Sequence, residues 1–200
     1  MTDTTSFLTE PPDDSAVAAA YDTDVASGGY IKNYTRAWCW RPDVLSAYRA
    51  LHSGLLDSST LSPSEVAVIV AATAAARGDS YCSLAWGTRL AELRGPETAA
   101  QVVRGLEPEE LSRREDALMT WSRQVVRDPN ATTGADAECL REAGLDDREI
   151  FEATMLIGLR LMFSTINDAL GVRPDRELVV QVPEPVREAV AFGRSPSPPA

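Results

Sequence analysis

No segment of the chain alternates convincingly between apolar and polar residues as a half-buried strand would, and its start and stop signals are those of helices. Ser-Pro-Ser-Glu at 62–65 and Ser-Arg-Arg-Glu at 112–115 are capping boxes. Glycines at 78, 95, 144 and 171 stand where helices stop. Together these signals predict an all-α fold with helices over about 42–56, 63–77, 80–93, 97–104, 113–127, 135–143, 147–170 and 184–192.

Two of the predicted helices are apolar nearly all round, which is typical of central helices. They also begin alike, since Leu-Ser-Pro-Ser-Glu-Val at 61–66 resembles Leu-Asp-Asp-Arg-Glu-Ile at 145–150. The pattern favours a pseudo-repeat in which two helical halves bury their central helices against each other. The first central helix is rich in alanine, and small side chains allow close helix packing inside a domain or between subunits.

The chain of 200 residues fits one domain. Proline, serine, threonine and aspartate outnumber core-forming residues in 1–14 and again in 194–200. We therefore predict disordered tails over these two segments and a single all-α domain over 15–193.

The charge balance limits the classes of partner. Lys and Arg number 19 and Asp and Glu number 30, which gives a formal charge of −11. An acidic surface disfavours nucleic acid and anionic lipid. The longest apolar stretch, 150–163, is interrupted by Glu152 and Arg160, and the N-terminus has no signal-peptide pattern. We predict a cytoplasmic protein that acts on a small molecule and binds neither nucleic acid nor membranes.

Cysteine and histidine are scarce. The three cysteines form no Cys-x-x-Cys pair, and there is one histidine. A disulfide framework, a cysteine zinc site and an all-histidine metal site are therefore not expected. We predict no metal and no cofactor.

The segment LSPSEVAVIVAATAAARGDSYCSLAW, residues 61–86, describes a capped buried helix, a glycine stop and a new helix with Tyr and Cys in its first turn. It resembles the carboxymuconolactone decarboxylase and alkylhydroperoxidase D-like superfamily, whose pattern is approximately LSPxExE…ANGCxYCxxxH. AGLDDREIFEAT and NDALGV, in the second half, resemble that superfamily's closing helix, so the resemblance covers most of 41–172. It implies an alkylhydroperoxidase D-like helical bundle and a homo-oligomer, either a trimer or a hexamer.

The sequence departs from that pattern at positions that matter for chemistry. The first cysteine of the pattern falls on Asp79, the histidine on Trp86 and the proton-relay glutamate on Ala67, while the second cysteine remains as Cys82. Peroxidases of the superfamily cycle two cysteines through a disulfide, so the resemblance argues against two-cysteine peroxidase activity here. The decarboxylase branch usually lacks the cysteines but keeps the histidine, so the chain matches neither branch.

Asp79 and Cys82 are the candidate catalytic residues. The helix N-terminus stabilises a Cys82 thiolate, whereas a nearby Asp79 carboxylate opposes it, so a strongly activated thiolate does not follow. Asp79 is either an N-cap or a general acid–base group, and Cys82 is either a small buried residue or a site residue. Tyr81 and Trp86 are candidate substrate-binding walls that serve equally well as packing residues.

His52 and Arg160 are the other candidate substrate-binding residues. In the superfamily, the helix that carries His52 packs near the pocket, although a lone histidine is more often structural. Arg160 lies between two leucines in an apolar run, and a buried arginine needs an anion. We expect a protein carboxylate such as Glu65 or Glu149 as its partner, with a substrate carboxylate or enol as the alternative.

Three functions are consistent with these residues. The first is an enzyme that has lost thiol redox chemistry and converts a small cyclic or aromatic metabolite by decarboxylation, isomerisation or ring rearrangement. The second is a binding or scaffold protein on the same fold, which a pocket filled by Trp86 and Leu84 would favour. The third is a one-cysteine thiol peroxidase or reductase that uses Cys82.

Overall fold

A computed structural model describes residues 5–197, and within that range the chain forms α-helices, one short 3-10 helix at Pro129–Ala131 and no β-strand. The predicted all-α class is therefore confirmed. The helices in chain order are α1 (Ser15–Gly28), α2 (Asn33–Trp38), α3 (Pro42–Asp57), α4 (Pro63–Arg77), α5 (Ser80–Arg94), α6 (Pro96–Val103), α7 (Arg113–Arg127), α8 (Gly134–Glu142), α9 (Asp147–Ala169), α10 (Arg176–Gln181) and α11 (Glu184–Ala189).

The predicted capping signals form as hydrogen-bonded caps. Ser62 and Ser112 each accept the backbone N–H of a glutamate three residues later, and that glutamate accepts the backbone N–H of the serine in return. Asp146 makes the same reciprocal cap at the start of α9. Eight helices lie within a few residues of their predicted positions because these signals are local. Helices α1, α2 and α10 were not predicted.

The core is built around α4, which packs on α5, α6, α7 and α9. Its residues from Ala67 to Ala74 are buried in an unbroken run. Six of those eight residues are alanine or valine, so neighbouring helices pack closely against this part of α4. This explains why the segment is apolar all round.

The two halves of the pseudo-repeat meet at Arg114 on α7. Its Nε donates to Glu65 Oε1 at 2.6 Å, and its Nη2 donates to Glu149 Oε1 at 2.9 Å. Both glutamates belong to the capping boxes that begin α4 and α9. One arginine therefore joins the starts of the two central helices.

Both terminal segments make backbone contacts with the helical domain. Phe7 N–H donates to the carbonyl of Leu170 at 2.8 Å, and Ser197 N–H donates to the carbonyl of Pro174 at 3.1 Å. The extent of the disordered tails stays a prediction. Residues 1–4 and 198–200 of the predicted tails lie outside the described residues. No helix within 5–197 is long and apolar enough to cross a membrane.

Candidate functional site

A cavity of about 440 Å³ lies between α2, α3, α5, α9 and the start of α10. Six aromatic side chains contribute to its wall, and charged groups interrupt that wall at several points. The lining residues are Tyr30, Lys32, Tyr34, Leu45, Tyr48, Arg49, His52, Ser53, Tyr81, Cys82, Ala85, Trp86, Arg160, Phe163, Asp175 and Leu178. Five of the six predicted site residues are among them, and the sixth, Asp79, is not.

Asp79 is fully buried behind the cavity wall, at the N-cap of α5. Gly78, with a φ of 78°, ends α4 in the left-handed conformation and turns the chain into this cap. Asp79 Oδ1 accepts the N–H of Cys82 at 3.0 Å, and Oδ2 accepts the hydroxyl of Ser164 at 2.5 Å. Both carboxylate oxygens are thus engaged by the protein, and a catalytic role for Asp79 stays a prediction.

Cys82 lies one turn into α5 and its side chain reaches the cavity. Burial, with a smaller contribution from the Asp79 carboxylate, raises the pKa of its thiol to about 12, although Arg160 acts in the opposite direction. Burial, rather than either of the two opposing effects anticipated from the sequence, decides in favour of the neutral thiol. At neutral pH the sulfur is protonated, and the nucleophilic thiolate is scarce.

Arg160 on α9 is the unusual charge of the cavity. It is 6 % exposed, and its Nη1 donates to Cys82 Sγ at 3.2 Å. Its guanidinium lies 5.5 Å from the centre of the Trp86 ring and 5.2 Å from that of Phe163. Its Nε has no hydrogen-bond partner.

The expected partner of Arg160 was a protein carboxylate, Glu65 or Glu149, and this expectation is wrong. Both glutamates bind Arg114 at the starts of α4 and α9, where they also complete their capping boxes. Within residues 5–197 no carboxylate lies in salt-bridge contact with Arg160. A guanidinium stays charged at all relevant pH values, so ring faces and a neutral sulfur are its direct contacts, and the Asp79 carboxylate acts on its charge without touching it.

His52 lies on α3, next to the ring of Tyr48 at a centroid distance of 6.2 Å. Burial lowers the pKa of its imidazole, and the charge of Arg160 lowers it further, so His52 is neutral at pH 7. Its Nε2 is buried and has no hydrogen-bond partner among residues 5–197. His52 therefore lines the cavity as a neutral imidazole rather than as a positive charge.

Tyr81 and Trp86 occupy the wall as predicted, but Tyr81 also has a polar partner. Its hydroxyl donates to Oδ2 of Asp175, whose Oδ1 accepts the N–H of Asn33 at 2.7 Å. Burial raises the pKa of Asp175 to about 6. Trp86 lies beside the cavity without filling it, and Leu84 faces the separate core formed with α4 and α6.

Sequence reasoning missed the contribution of residues 30–34 and of Asp175. Lys32 and Arg49 line the cavity, and both bind the buried Asp24 carboxylate, at 3.3 and 3.2 Å. One available signal was composition, because Lys32 is the only lysine and His52 the only histidine of the chain. Asp175 carried no comparable signal, since its contacts join segments far apart in the sequence.

The described residues contain no cluster of three or more His, Cys, Asp or Glu side chains that would hold a metal ion. The cavity instead brings together cationic side chains, aromatic rings and the carboxylate of Asp175.

Neither a family model nor a curated protein matches the sequence. Solved structures do match the fold. An uncharacterized peroxidase-related protein from Ralstonia eutropha JMP134, described as an alkylhydroperoxidase AhpD core, is 25% identical with a TM-score of 0.80, over 90% of this chain and 98% of that one. A peroxidase-related protein from Silicibacter sp. TM1040 is 22% identical with a TM-score of 0.78, over 89% and 97%.

The debrominase Bmp8, in complex with 2,3,4-tribromopyrrole, has the same fold. It is 12% identical to this chain with a TM-score of 0.72, over 87% of this chain and 95% of Bmp8. These neighbours confirm the alkylhydroperoxidase D-like helical bundle expected from residues 61–86. They include an enzyme as well as uncharacterized proteins.

Proposed function

We propose that this member of the alkylhydroperoxidase D-like superfamily is an enzyme that binds a small cyclic or aromatic anion and converts it by proton transfer, without thiol redox chemistry. Decarboxylation, isomerisation and ring rearrangement all belong to this class. The observation that carries the proposal is Arg160, a buried cation at a cavity wall with no carboxylate partner.

The energetics of Arg160 support an anionic ligand. Removing a charge from water costs several kcal/mol in real proteins, and this cost is normally offset by a paired ion. Here a thiol and two aromatic rings replace the paired ion, and Nε is unpartnered. A ligand carboxylate or enolate can accept planar, charge-assisted hydrogen bonds from the guanidinium, which no carboxylate within residues 5–197 accepts.

The walls of the cavity support a planar ligand. Tyr34, Tyr48 and Phe163 form a connected set of rings, with centroid distances of 5.1 Å from Tyr34 to Phe163 and 5.4 Å from Tyr48 to Phe163. Flat apolar walls with few polar groups favour ring-shaped ligands. The fold neighbour Bmp8 was crystallised with 2,3,4-tribromopyrrole, a small ring compound. This agrees with a fold that accommodates small rings.

The protonation states favour proton transfer over redox chemistry. The thiol of Cys82 is neutral because burial raises its pKa to about 12, and a neutral thiol is a poor nucleophile. His52 is neutral as well, and its Nε2 is free to accept a proton. We assign His52 as the proton acceptor, Arg160 as the anion anchor and Cys82 as a wall residue.

The proposed step is balanced within the substrate and His52. His52 Nε2 accepts a proton from a ring carbon that lies between a carbonyl and a carbon–carbon double bond, and the electron pair of that C–H bond moves toward the carbonyl oxygen to give a dienolate. Return of the proton from the imidazolium to the far carbon of the original double bond shifts that double bond into conjugation with the carbonyl, which gives the isomer and regenerates neutral His52. Arg160 holds the anionic group throughout.

A proton-exchange assay tests this function without knowledge of the natural substrate. The probe is 4-oxocyclohexanecarboxylate in D₂O, and proton NMR follows the loss of the hydrogens next to the ketone. We expect the wild-type protein to accelerate exchange above the buffer rate, with a loss of about tenfold or more in Arg160→Met and in His52→Gln.

The uncharged probe 4-oxocyclohexanecarboxamide is the matched control, and we expect no acceleration with it. Equal acceleration of the acid and the amide would contradict the role of Arg160. Full activity of His52→Gln would contradict the role of His52.

The second candidate is a one-cysteine thiol peroxidase, favoured by the peroxidase-related neighbours and by the contact between Arg160 and the sulfur of Cys82. The high thiol pKa opposes it. Peroxide treatment followed by peptide-resolved detection of sulfenic acid distinguishes the two functions. Formation of sulfenic acid at Cys82 and loss of peroxide consumption in Cys82→Ser would favour the peroxidase.

The third reading, a scaffold without catalysis, has less support because the cavity is open rather than filled by Trp86 and Leu84. It predicts ring carboxylates that bind without any proton exchange.

We further propose that the chain forms a homo-oligomer, a trimer or a hexamer, through α3 and α9. Val44 and Leu51 are exposed two turns apart on α3, and Phe151 and Met162 are exposed on α9. Exposed apolar side chains on two neighbouring helices are typical of a subunit contact. Native mass spectrometry of the wild type and of Leu51→Glu tests it, and a monomeric wild type would contradict it.

A further inference from the structure

A second polar cluster in the cavity is separated from Arg160 by two aromatic rings. It consists of Asp175, Tyr81 and Tyr30. The ring of Tyr34 lies 5.9 Å from that of Tyr81 and 5.1 Å from that of Phe163, and Phe163 in turn lies 5.2 Å from the Arg160 guanidinium. The cavity thus has a cationic pole and an acidic pole with an aromatic wall between them.

The carboxylate at the acidic pole has unused capacity to accept hydrogen bonds. Asp175 Oδ1 accepts the N–H of Asn33 and Oδ2 accepts the hydroxyl of Tyr81. The remaining donor, the Tyr30 hydroxyl, stands at 3.5 Å, much longer than the 2.7–2.8 Å usual for O–H···O bonds. A carboxylate accepts about four hydrogen bonds, so one position at Oδ2 is poorly filled.

We propose that Asp175 accepts a hydrogen bond from a hydroxyl group of the substrate, so that the substrate class is a planar ring acid with a hydroxyl distant from its anionic group. This inference rests on the proposed function, because Arg160 must hold the anionic end. Hydroxyl groups donate well to a carboxylate, whereas a second carboxylate at this pole would be repelled by Asp175. Asp175 would therefore select hydroxylated ring acids over dicarboxylates.

The protonation state of Asp175 makes the selection pH-dependent. Burial raises its pKa to about 6, while Tyr81 and Asn33 hold the ionised form through their hydrogen bonds. The groups that face it from the surrounding elements are Tyr30, Lys32, Asn33 and Tyr34 at the start of α2, Tyr81 on α5 and Glu177 on α10. At pH 7 the carboxylate accepts, and as the pH falls below 6 it becomes a protonated acid that accepts less well.

Three matched pairs of ring acids, with and without the terminal hydroxyl, test the inference by isothermal titration calorimetry. They are benzoate and 4-hydroxybenzoate, cinnamate and 4-hydroxycinnamate, and biphenyl-4-carboxylate and 4′-hydroxybiphenyl-4-carboxylate. The three hydroxylated acids differ in the distance between carboxylate and hydroxyl, so that the hydroxyl of at least one of them reaches Asp175 when the carboxylate is bound to Arg160. We expect about fivefold to tenfold tighter binding of the hydroxylated member in at least one pair, the gain of one hydrogen bond to a charged acceptor.

Asp175→Asn should remove that gain and leave the affinity for the unhydroxylated member unchanged. Glu184→Gln is the matched control, since Glu184 is exposed and absent from the cavity lining, and it should keep the gain. If Asp175→Asn does not fold, the wild type still provides a test. Its preference for the hydroxylated acid should decline between pH 7 and pH 5, while the unhydroxylated acid binds as before.

Two results would overturn the inference. The first is the absence of a hydroxyl preference in all three pairs although binding still depends on Arg160, which would leave the proposed function standing. The second is a preference that survives in folded Asp175→Asn. If no ring acid binds, or if binding is independent of Arg160, the proposed function fails together with the inference.

Discussion

Two arginines on neighbouring parts of the bundle differ in how the protein compensates their charges. Arg114 on α7 binds Glu65 and Glu149, and its Nη1 donates to the carbonyl of Gly144. Arg160 on α9 is more deeply buried, yet a cysteine sulfur and two ring faces are its surroundings. Within residues 5–197 the chain thus pairs the more exposed arginine fully and leaves the more buried one without a carboxylate in direct contact.

The difference separates a structural charge from a functional one. Removing the arginine from a complete ion-pair cluster leaves buried carboxylates uncompensated. Replacing an arginine that has no ion-pair partner removes no ion pair from the folded state. We therefore expect substitution of Arg114 to affect mainly stability and substitution of Arg160 to affect mainly binding. The predictions below test this contrast in order of decreasing expected effect.

Arg114→Met should lower the free energy of unfolding by about 2–3 kcal/mol, because two buried glutamates lose their only cationic partner and the arginine itself is partly exposed. Urea denaturation followed by circular dichroism measures the change. Arg113→Met is the matched control, since that neighbouring arginine is mostly exposed and has only a 4.0 Å contact with Glu142. A loss as small as that of the control would show that the cluster is not structural.

Arg160→Met should weaken binding of benzoate by about tenfold to a hundredfold, the value of hydrogen bonds to a charged group. The free energy of unfolding should change by less than about 1 kcal/mol or increase, because methionine fills the space without an unpaired charge. Calorimetric titration and urea denaturation measure the two quantities on the same preparation. Strong destabilisation with unchanged binding would reverse the contrast between the two arginines.

The stabilising effect of Arg114 should depend on pH. Its hydrogen bonds lower the pKa of Glu149 from 4.5 to about 2, so the stabilisation is complete above pH 4.5 and is lost as the pH falls through 2. The difference in unfolding free energy between the wild type and Arg114→Met should therefore shrink from pH 5 to pH 2. A constant difference over that range would contradict the assigned role of Glu149.

Asp79→Asn should produce the smallest effect. The Asp79 carboxylate contributes to the high pKa of Cys82, so its neutralisation should increase the rate of alkylation of Cys82 by about threefold to tenfold at pH 8. Peptide mass spectrometry distinguishes Cys82 from the other two cysteines. Ser164→Ala is the control, because it removes a hydrogen bond of Asp79 and keeps its charge. Equal rates in all three proteins would contradict an electrostatic role for Asp79.

Structural features that depend on residues close together in the chain were predictable from the sequence. The capping boxes at Ser62 and Ser112 and the glycine stops located eight helices, and the resemblance over residues 61–86 led to the correct fold. The short helices α2 and α10 escaped prediction because six residues carry little periodicity and depend on tertiary contacts.

The candidate site was predictable only in part. The apolar residues around Arg160 in the sequence identified it as a buried charge. They did not identify the groups that surround it, because the capping boxes of Glu65 and Glu149 gave no indication that both glutamates would bind Arg114. Asp175 meets Tyr81 and Asn33 through contacts that span much of the chain. Such contacts follow from the assembled fold and leave no local pattern.

A crystal structure of the protein soaked with 4-bromobenzoate tests the central claim most directly, because the anomalous signal of bromine fixes the orientation of the ring. The claim predicts the carboxylate within hydrogen-bond distance of the Arg160 guanidinium and the ring against Phe163. A carboxylate bound instead to Lys32 and Arg49, or a cavity without ligand at saturating concentration, would contradict it.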